Sequence, residues 1–381
     1  MLHKIYILLL VVVCIACRNE VSDVPIIAER TVLVYMIAEN NLYNNAKEDI
    51  AEMQAATANM NGNLIVYLDA PTYSFDSLPQ LIHIQNGKLI TIKKFKQQNS
   101  ASGEILQMII NESITAFPAL EYGLVLWSHG TGWLHEGVFD NLKNRDKIRQ
   151  RSFGLDNEQE LEIAELAENL LITFEFIAFD ACLMSNIETL YQLRDKTNYI
   201  IASPTETLAT GFPYQEIIPL FFRQNIDYKK ITTEYVNYYR KQPKTLVQSA
   251  SLCVTRTEYL ETLVQFILQN IETQNVTMPT MKIKSYEYTE PIMYYDLLDF
   301  LQQSSIGENK KNELTHIFSQ LVMDYKHTEY FLNNLSLENT TGISFFAFPL
   351  SDSLLENQYR QLDWYKGTKL LVNNYLNAEY D

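Results

Sequence analysis

Apolar residues follow two patterns along this chain. The first is a set of short unbroken runs rich in β-branched residues: 31–37 (TVLVYMI), 63–68 (NLIVYL), 123–127 (GLVLW), 174–179 (FEFIAF) and 199–202 (YIIA). Unbroken runs of this length fit strands buried on both faces, whereas half-exposed strands alternate apolar and polar residues. The second is helical spacing, over 40–61 (Ala46, Ile50, Met53, Ala56), 102–117 (Ile105, Ile109, Ile110) and 158–171. Strand and helix take turns, which predicts an α/β fold with a mostly parallel sheet and helices on both faces. Two further runs, 81–84 and 89–92, flank Asn86-Gly87, a hairpin signal that predicts an antiparallel extension at one edge.

After Gln248 the pattern resumes with a run at 250–254, a helix over 258–271 and an apolar run at 342–348. The stretch beyond Asn275 is rich in tyrosine and reads either as a smaller subdomain or as a continuation of the helical layer. No repeat with a period of about 20–50 residues is visible, which excludes solenoids and propellers.

The amino terminus has its own pattern. Residues 5–13 (IYILLLVVV) are apolar and follow Lys4. A bilayer-spanning helix needs about 20 such residues, so this run suits the core of a secretory signal, with Lys4 as its positive start. Cys14-Ile15-Ala16-Cys17 comes next, then the polar stretch 18–23. A small residue directly before a cysteine at that place is similar to a bacterial lipobox. It predicts cleavage after Ala16 and lipid on Cys17, hence a membrane anchor in the cell envelope, at the outer membrane or cell surface. Several acyl chains on one residue anchor firmly, at about 0.8 kcal/mol per buried methylene.

Charge narrows the partners. Lys+Arg number 30 against Asp+Glu 46, a formal net charge of −16, and that field opposes the phosphates of nucleic acid. Cationic substrates are compatible with it. Of the cysteines, Cys14 leaves with the signal and Cys17 takes lipid, so Cys182 and Cys253 are no disulfide framework. Cys253 lies in an apolar run and reads as a buried strand residue. His83, His135, His316 and His327 share no ligand spacing, so no metal ligands are predicted.

Two of the buried strands end in reactive residues. One runs GLVLW into Ser128-His129-Gly130-Thr131-Gly132-Trp133, the other FEFIAF into Asp180-Ala181-Cys182-Leu183-Met184. Sites in open α/β sheets form at the carboxyl ends of strands, so His129 and Cys182 are expected on one rim. An imidazole beside a thiol takes its proton or holds it as an ion pair, which makes thiolate available near neutral pH. Gly130 lets the backbone approach a substrate carbonyl, and its N–H, with that of Cys182, is expected to bind the developing oxyanion. A helix is expected to open at Cys182 and run over 183–193, with its positive end favouring thiolate. A bond between Cys182 and Cys253 would silence such a nucleophile, so intact thiols are expected.

At these residues the chain resembles the clostripain-like cysteine peptidases (family C11), whose fold is a caspase-like three-layer sandwich. The matching blocks are LVLWSHGTGW, FIAFDACLMSNIE and the stretch from Ile200 to Thr207, with weaker matches at VLVYMIAENNL, 295–300, GISFFAFP and around Trp364. The lipobox reading sets a lipoprotein signal peptide at 1–16 and a tether at 17–29, and the resemblance implies a caspase-like catalytic domain at 30–248 with a C-terminal continuation or subdomain at 249–381. It also implies an endopeptidase that cleaves after a basic residue, with His129 as general base and acid and Cys182 as nucleophile through a thioester acyl-enzyme.

The family's basic preference comes from acids in the pocket. One maps onto Asp180; the other falls in a segment that here reads Ala209-Thr210-Gly211-Phe212, so Thr210 stands where an acid is expected. Losing one buried charge-assisted contact to arginine, typically about 1.5–3 kcal/mol, weakens such a preference by tens-fold. Asp180 or Glu206 remains to carry it. Family members are also cut between the two blocks. Segment 141–151 (NLKNRDKIRQR) has a basic residue at every second position from Lys143 to Arg151, and Lys147 is the first choice for the scissile position. Some members depend on calcium, which keeps calcium open as a cofactor although no EF-hand-like run occurs. The chain is expected to act as a monomer on peptide or protein. The Thr210 departure also fits a second class of function, a catalytically silent surface lipoprotein that keeps the fold and binds peptide or protein partners.

Overall fold

The computed structural model describes residues 27–58, 60–72, 74, 78–134, 138, 153, 154, 156, 159–273, 276–278, 283–348 and 353–373. Cys17, Lys147 and the rest of the basic segment lie outside these residues. In chain order the strands are β1 (Ala28–Ile37), β2 (Asn63–Asp69), β3 (Gln80–Gln85), β4 (Lys88–Lys94), β5 (Ala119–Trp127), β6 (Phe174–Asp180), β7 (Thr197–Ala202) and β8 (Ser251–Arg256). Then follow β9 (Val276–Thr277), β10 (Tyr294–Asp296), β11 (Val322–His327), β12 (Tyr330–Phe331), β13 (Leu335–Ser336), β14 (Ser344–Phe348) and β15 (Val372–Asn373). The main sheet has nine strands in the order β11-β8-β7-β6-β5-β1-β2-β3-β4. Its centre, β2-β1-β5-β6-β7, is parallel throughout. Hairpin β3–β4 is antiparallel at one edge, as Asn86-Gly87 predicts, and both turn residues have positive φ.

The parallel centre explains the unbroken apolar runs. Along β1, Val32, Val34 and Met36 point into one core and Leu33, Tyr35 and Ile37 into the other, so every position from Val32 to Ile37 is buried. The first core is closed by α1 (Tyr43–Ala56) and the pair at Tyr214–Phe221 and Tyr228–Arg240; the second by helices that include Gly103–Ala116, Ile163–Asn169, Ile187–Gln192 and Leu260–Asn270. No helix among the described residues is long and apolar enough to cross a membrane.

The sheet runs on past Gln248. β8 pairs antiparallel with β7, and β11 pairs antiparallel with β8. The apolar run expected at 342–348 is instead the core of a second sheet, order β10-β14-β15-β9. That sheet packs beneath the loop after β6. The Ser344 N–H donates to the Ser185 carbonyl at 2.9 Å, and the Glu188 carboxylate accepts the Phe346 N–H at 2.9 Å. The tyrosine-rich part thus serves as the support of a strand-end loop.

Candidate active site

Trp127 stands opposite Asp180 where parallel strands β5 and β6 pair. His129 and Cys182 each follow by two residues, so equal offsets from one rung carry both to the same rim. Both line one cleft of about 200 Å³, together with Asn41, Trp127, Asp180 and the loop after β7.

His129 is held by the turn after β1. Asn40 donates to the Ile37 carbonyl at 3.0 Å and accepts the Leu42 N–H at 2.9 Å, and this turn presents Asn41. Oδ1 of Asn41 lies 2.8 Å from Nε2 of His129. An acceptor there makes Nε2 the protonated nitrogen and Nδ1 the basic one. Gly130 is required by space: a Cβ would stand 2.8 Å from the Cys182 carbonyl oxygen and 3.0 Å from Met184 Sδ. The next residues are tied from the second sheet, where the Tyr294 hydroxyl donates to the Thr131 carbonyl at 2.6 Å.

Cys182 sits in a tight turn. Leu183 has φ of 60°, a left-handed conformation that costs a side-chain-bearing residue on the order of 1–3 kcal/mol. The loop after β7 compensates, since Leu183 N–H donates to the Thr205 carbonyl at 2.9 Å and Ser185 N–H to that of Ser203 at 3.0 Å. The same loop brings the Thr207 N–H to 3.1 Å from the sulfur. A donor at that distance favours thiolate, while the Thr207 carbonyl, 3.5 Å from the sulfur, accepts from the thiol form. The expected helix from Cys182 is not formed: Asn186 caps a helix that begins only at Ile187. The strained turn intervenes, so no helix end lies at the sulfur. Cys253 is a free thiol deep in β8, and burial pushes it up to about 12.

Asp180 forms part of the cleft wall and is buried. It accepts the Phe212 N–H and the Tyr214 hydroxyl, both at 2.9 Å, while burial pushes its carboxyl up to about 6. Gly211 fits only as glycine, with φ of 63° and a Cβ position 2.6 Å from the Asp180 carboxylate. Thr210 is exposed, and neither it nor Glu206 lines the cleft.

A second carboxylate stands behind the wall, however. Asp49, on α1, accepts the Trp127 indole N–H at 2.8 Å, and burial followed by repulsion from Asp180 pushes it up to about 9. Sequence reasoning missed both Asn41 and Asp49. The signal for Asp49 was present, as an acid at helical spacing among Ala46, Ile50 and Met53 on an apolar face.

The family model for the clostripain family matches residues 34–368. The chain belongs to that family. It is 27% identical to clostripain of Hathewaya histolytica over 219 residues, which make up 49% of this chain and 41% of that protein. The match therefore spans less than half of clostripain's own length. A solved inactive zymogen C11 protease from Parabacteroides distasonis is 28% identical, with a TM-score of 0.75 over 91% of this chain and 99% of that one. A secreted C11 cysteine protease from Bacteroides thetaiotaomicron, solved with an irreversible peptide inhibitor, is 26% identical, with a TM-score of 0.74 over 90% and 99%. The fold expected from the sequence, a caspase-like sandwich around a mostly parallel sheet, is the clostripain-family fold observed.

Proposed function

We propose that the chain is a cysteine endopeptidase working through His129 and Cys182. The observation that carries this reading is the shared rung of β5 and β6, which delivers imidazole and sulfur to one cleft. His129 takes the thiol proton, and the sulfur attacks the scissile carbonyl carbon to form a C–S bond and an oxyanion. The N–H groups of Gly130 and Cys182 are the donors assigned to that oxyanion. Collapse breaks the C–N bond, and the amine leaves with the proton from His129. Water deprotonated by His129 then hydrolyses the thioester and releases the acid product.

Substrates with arginine or lysine before the cut are favoured by the Asp180 carboxylate in the cleft wall, which is ionised above about pH 6. The proposal includes a lipid tether at Cys17, and self-cleavage within 141–151 with Lys147 as scissile residue. Peptide reporters varied at the residue before the cut test the activity. Cys182→Ala should abolish cleavage, with arginine and lysine reporters cleaved fastest by the parent. Retained cleavage in that variant would end the assignment.

A further inference from the structure

Parallel strands β1 and β5 begin as a two-stranded ribbon that outruns the rest of the sheet. They pair from Ala28 opposite Ala119, whereas β2 joins β1 only from Thr31 and β6 joins β5 only from Gly123. At about 3.3 Å per residue, the ribbon projects roughly 10 Å beyond the strands that flank it. Its tip is apolar and open, with Ile27 54% exposed and Leu120 75% exposed. Leu171, between helix Ile163–Asn169 and β6, is 66% exposed at the same end of the sheet. Single exposed aliphatic residues are ordinary surface, but here three mark the starts of three adjacent strands, β1, β5 and β6. The charges around them are few. Arg30 pairs with Glu121, which leaves Glu29 as the remaining acid of the ribbon. Beside Leu171, the Lys196 ammonium donates to the Leu170 carbonyl at 3.1 Å.

We infer that this end of the sheet rests on the lipid bilayer, with Ile27, Leu120 and Leu171 in the headgroup region and the catalytic cleft facing away. The inference rests on the proposed lipid at Cys17. Nine residues, 18–26, separate Cys17 from Ile27, and ten peptide steps span at most about 36 Å, so an anchored chain enters the fold at the tip of this ribbon. Acyl chains hold the chain at the membrane, and the aliphatic tips decide which end meets it. A net charge of −16 gives the domain no general attraction to anionic lipid, which confines contact to an apolar tip. From that tip β5 runs nine residues, about 30 Å, to Trp127 in the cleft wall. His129 and Cys182 lie at the far end of this span. The cleft therefore opens onto peptides and proteins in the aqueous phase, and segments embedded in the lipid are out of its reach.

Reconstitution of the lipid-bearing chain into vesicles tests the orientation. In a Cys182→Ala background Cys253 is buried and Cys17 carries the lipid, so Leu120→Cys, Leu171→Cys or Thr210→Cys adds a single accessible thiol for a fluorophore. Thr210 is exposed in the loop after β7, at the cleft end. Nitroxide-bearing phosphatidylcholine should quench the labels at 120 and 171 about threefold or more relative to the label at 210. Adding Leu120→Asp to the chain labelled at 171 should bring its quenching down to that at 210, while Cys17 still holds the chain on the vesicles. Mass spectrometry of the N-terminal peptide reports the lipid separately. A lipid-bearing chain whose three labels are quenched alike, or whose label at 210 is quenched most, overturns the orientation and leaves the anchor standing. Quenching at 171 undiminished by Leu120→Asp overturns the contact through the aliphatic tips. A chain without lipid on Cys17 fails the anchor reading, and the orientation falls with it.

Discussion

The backbone N–H of Thr207 points at the sulfur of Cys182 from 3.1 Å. A residue twenty-five positions downstream thus holds the nucleophile, and it does so through its peptide group. The donor favours thiolate, whereas Cys253, at about 12, holds a thiolate fraction on the order of 10⁻⁵ at pH 7. Iodoacetamide on the native chain should therefore label Cys182 at least a hundredfold faster than Cys253, read by peptide mass spectrometry. Equal rates would favour the silent, peptide-binding reading over the peptidase.

Asn41 sets the tautomer of His129 through its 2.8 Å contact. Asn41→Ala should lower kcat by about 10–100-fold with little change in KM, since geometry of the base is lost and the pocket is not. A KM effect alone would place Asn41 in substrate binding.

Asp180 is the acid in the cleft wall, and it ionises near pH 6. For arginine reporters KM should fall as pH rises through about 6, while a reporter with a neutral residue before the cut shows no such trend. Asp180→Asn should cost arginine reporters about 10–100-fold in kcat/KM, the worth of a charge-assisted contact, and remove that pH dependence. Steady-state kinetics between pH 5 and pH 8 check both.

Asp49 carries a stability prediction. Its folded value near 9 lies above the ordinary 3.8, so the folded chain holds a proton that the unfolded chain releases. That contribution is complete below about pH 4 and is lost as pH rises towards 9. The groups facing it are Asp180, Glu52, Glu48 and Tyr214, none of them positive. Asp49→Asn keeps an acceptor for the Trp127 indole and should flatten the decline, so that urea midpoints of variant and parent diverge progressively from pH 5 to pH 9. Parallel curves would mean that Asp49 ionises normally.

Much of the frame was legible in the chain itself. Unbroken apolar runs implied the doubly covered parallel sheet because a strand buried on both faces has no polar side to show. The hairpin was readable from Asn86-Gly87, since both positions need positive φ. His129 and Cys182 could be singled out because strand ends are where α/β sheets build sites.

Other features depended on pairings that no local pattern encodes. The register of Trp127 against Asp180 carries His129 and Cys182 to one rim, and it is set by the whole sheet. The positive φ of Leu183 cancels the helix expected at Cys182, because the loops after β6 and β7 bond to each other first. Asp49 reaches Trp127 only when helix and strand end are packed together. Periodicity along a chain reports which side of an element is buried; it is silent on what meets it there, and the chemistry of a buried charge is decided by what it meets.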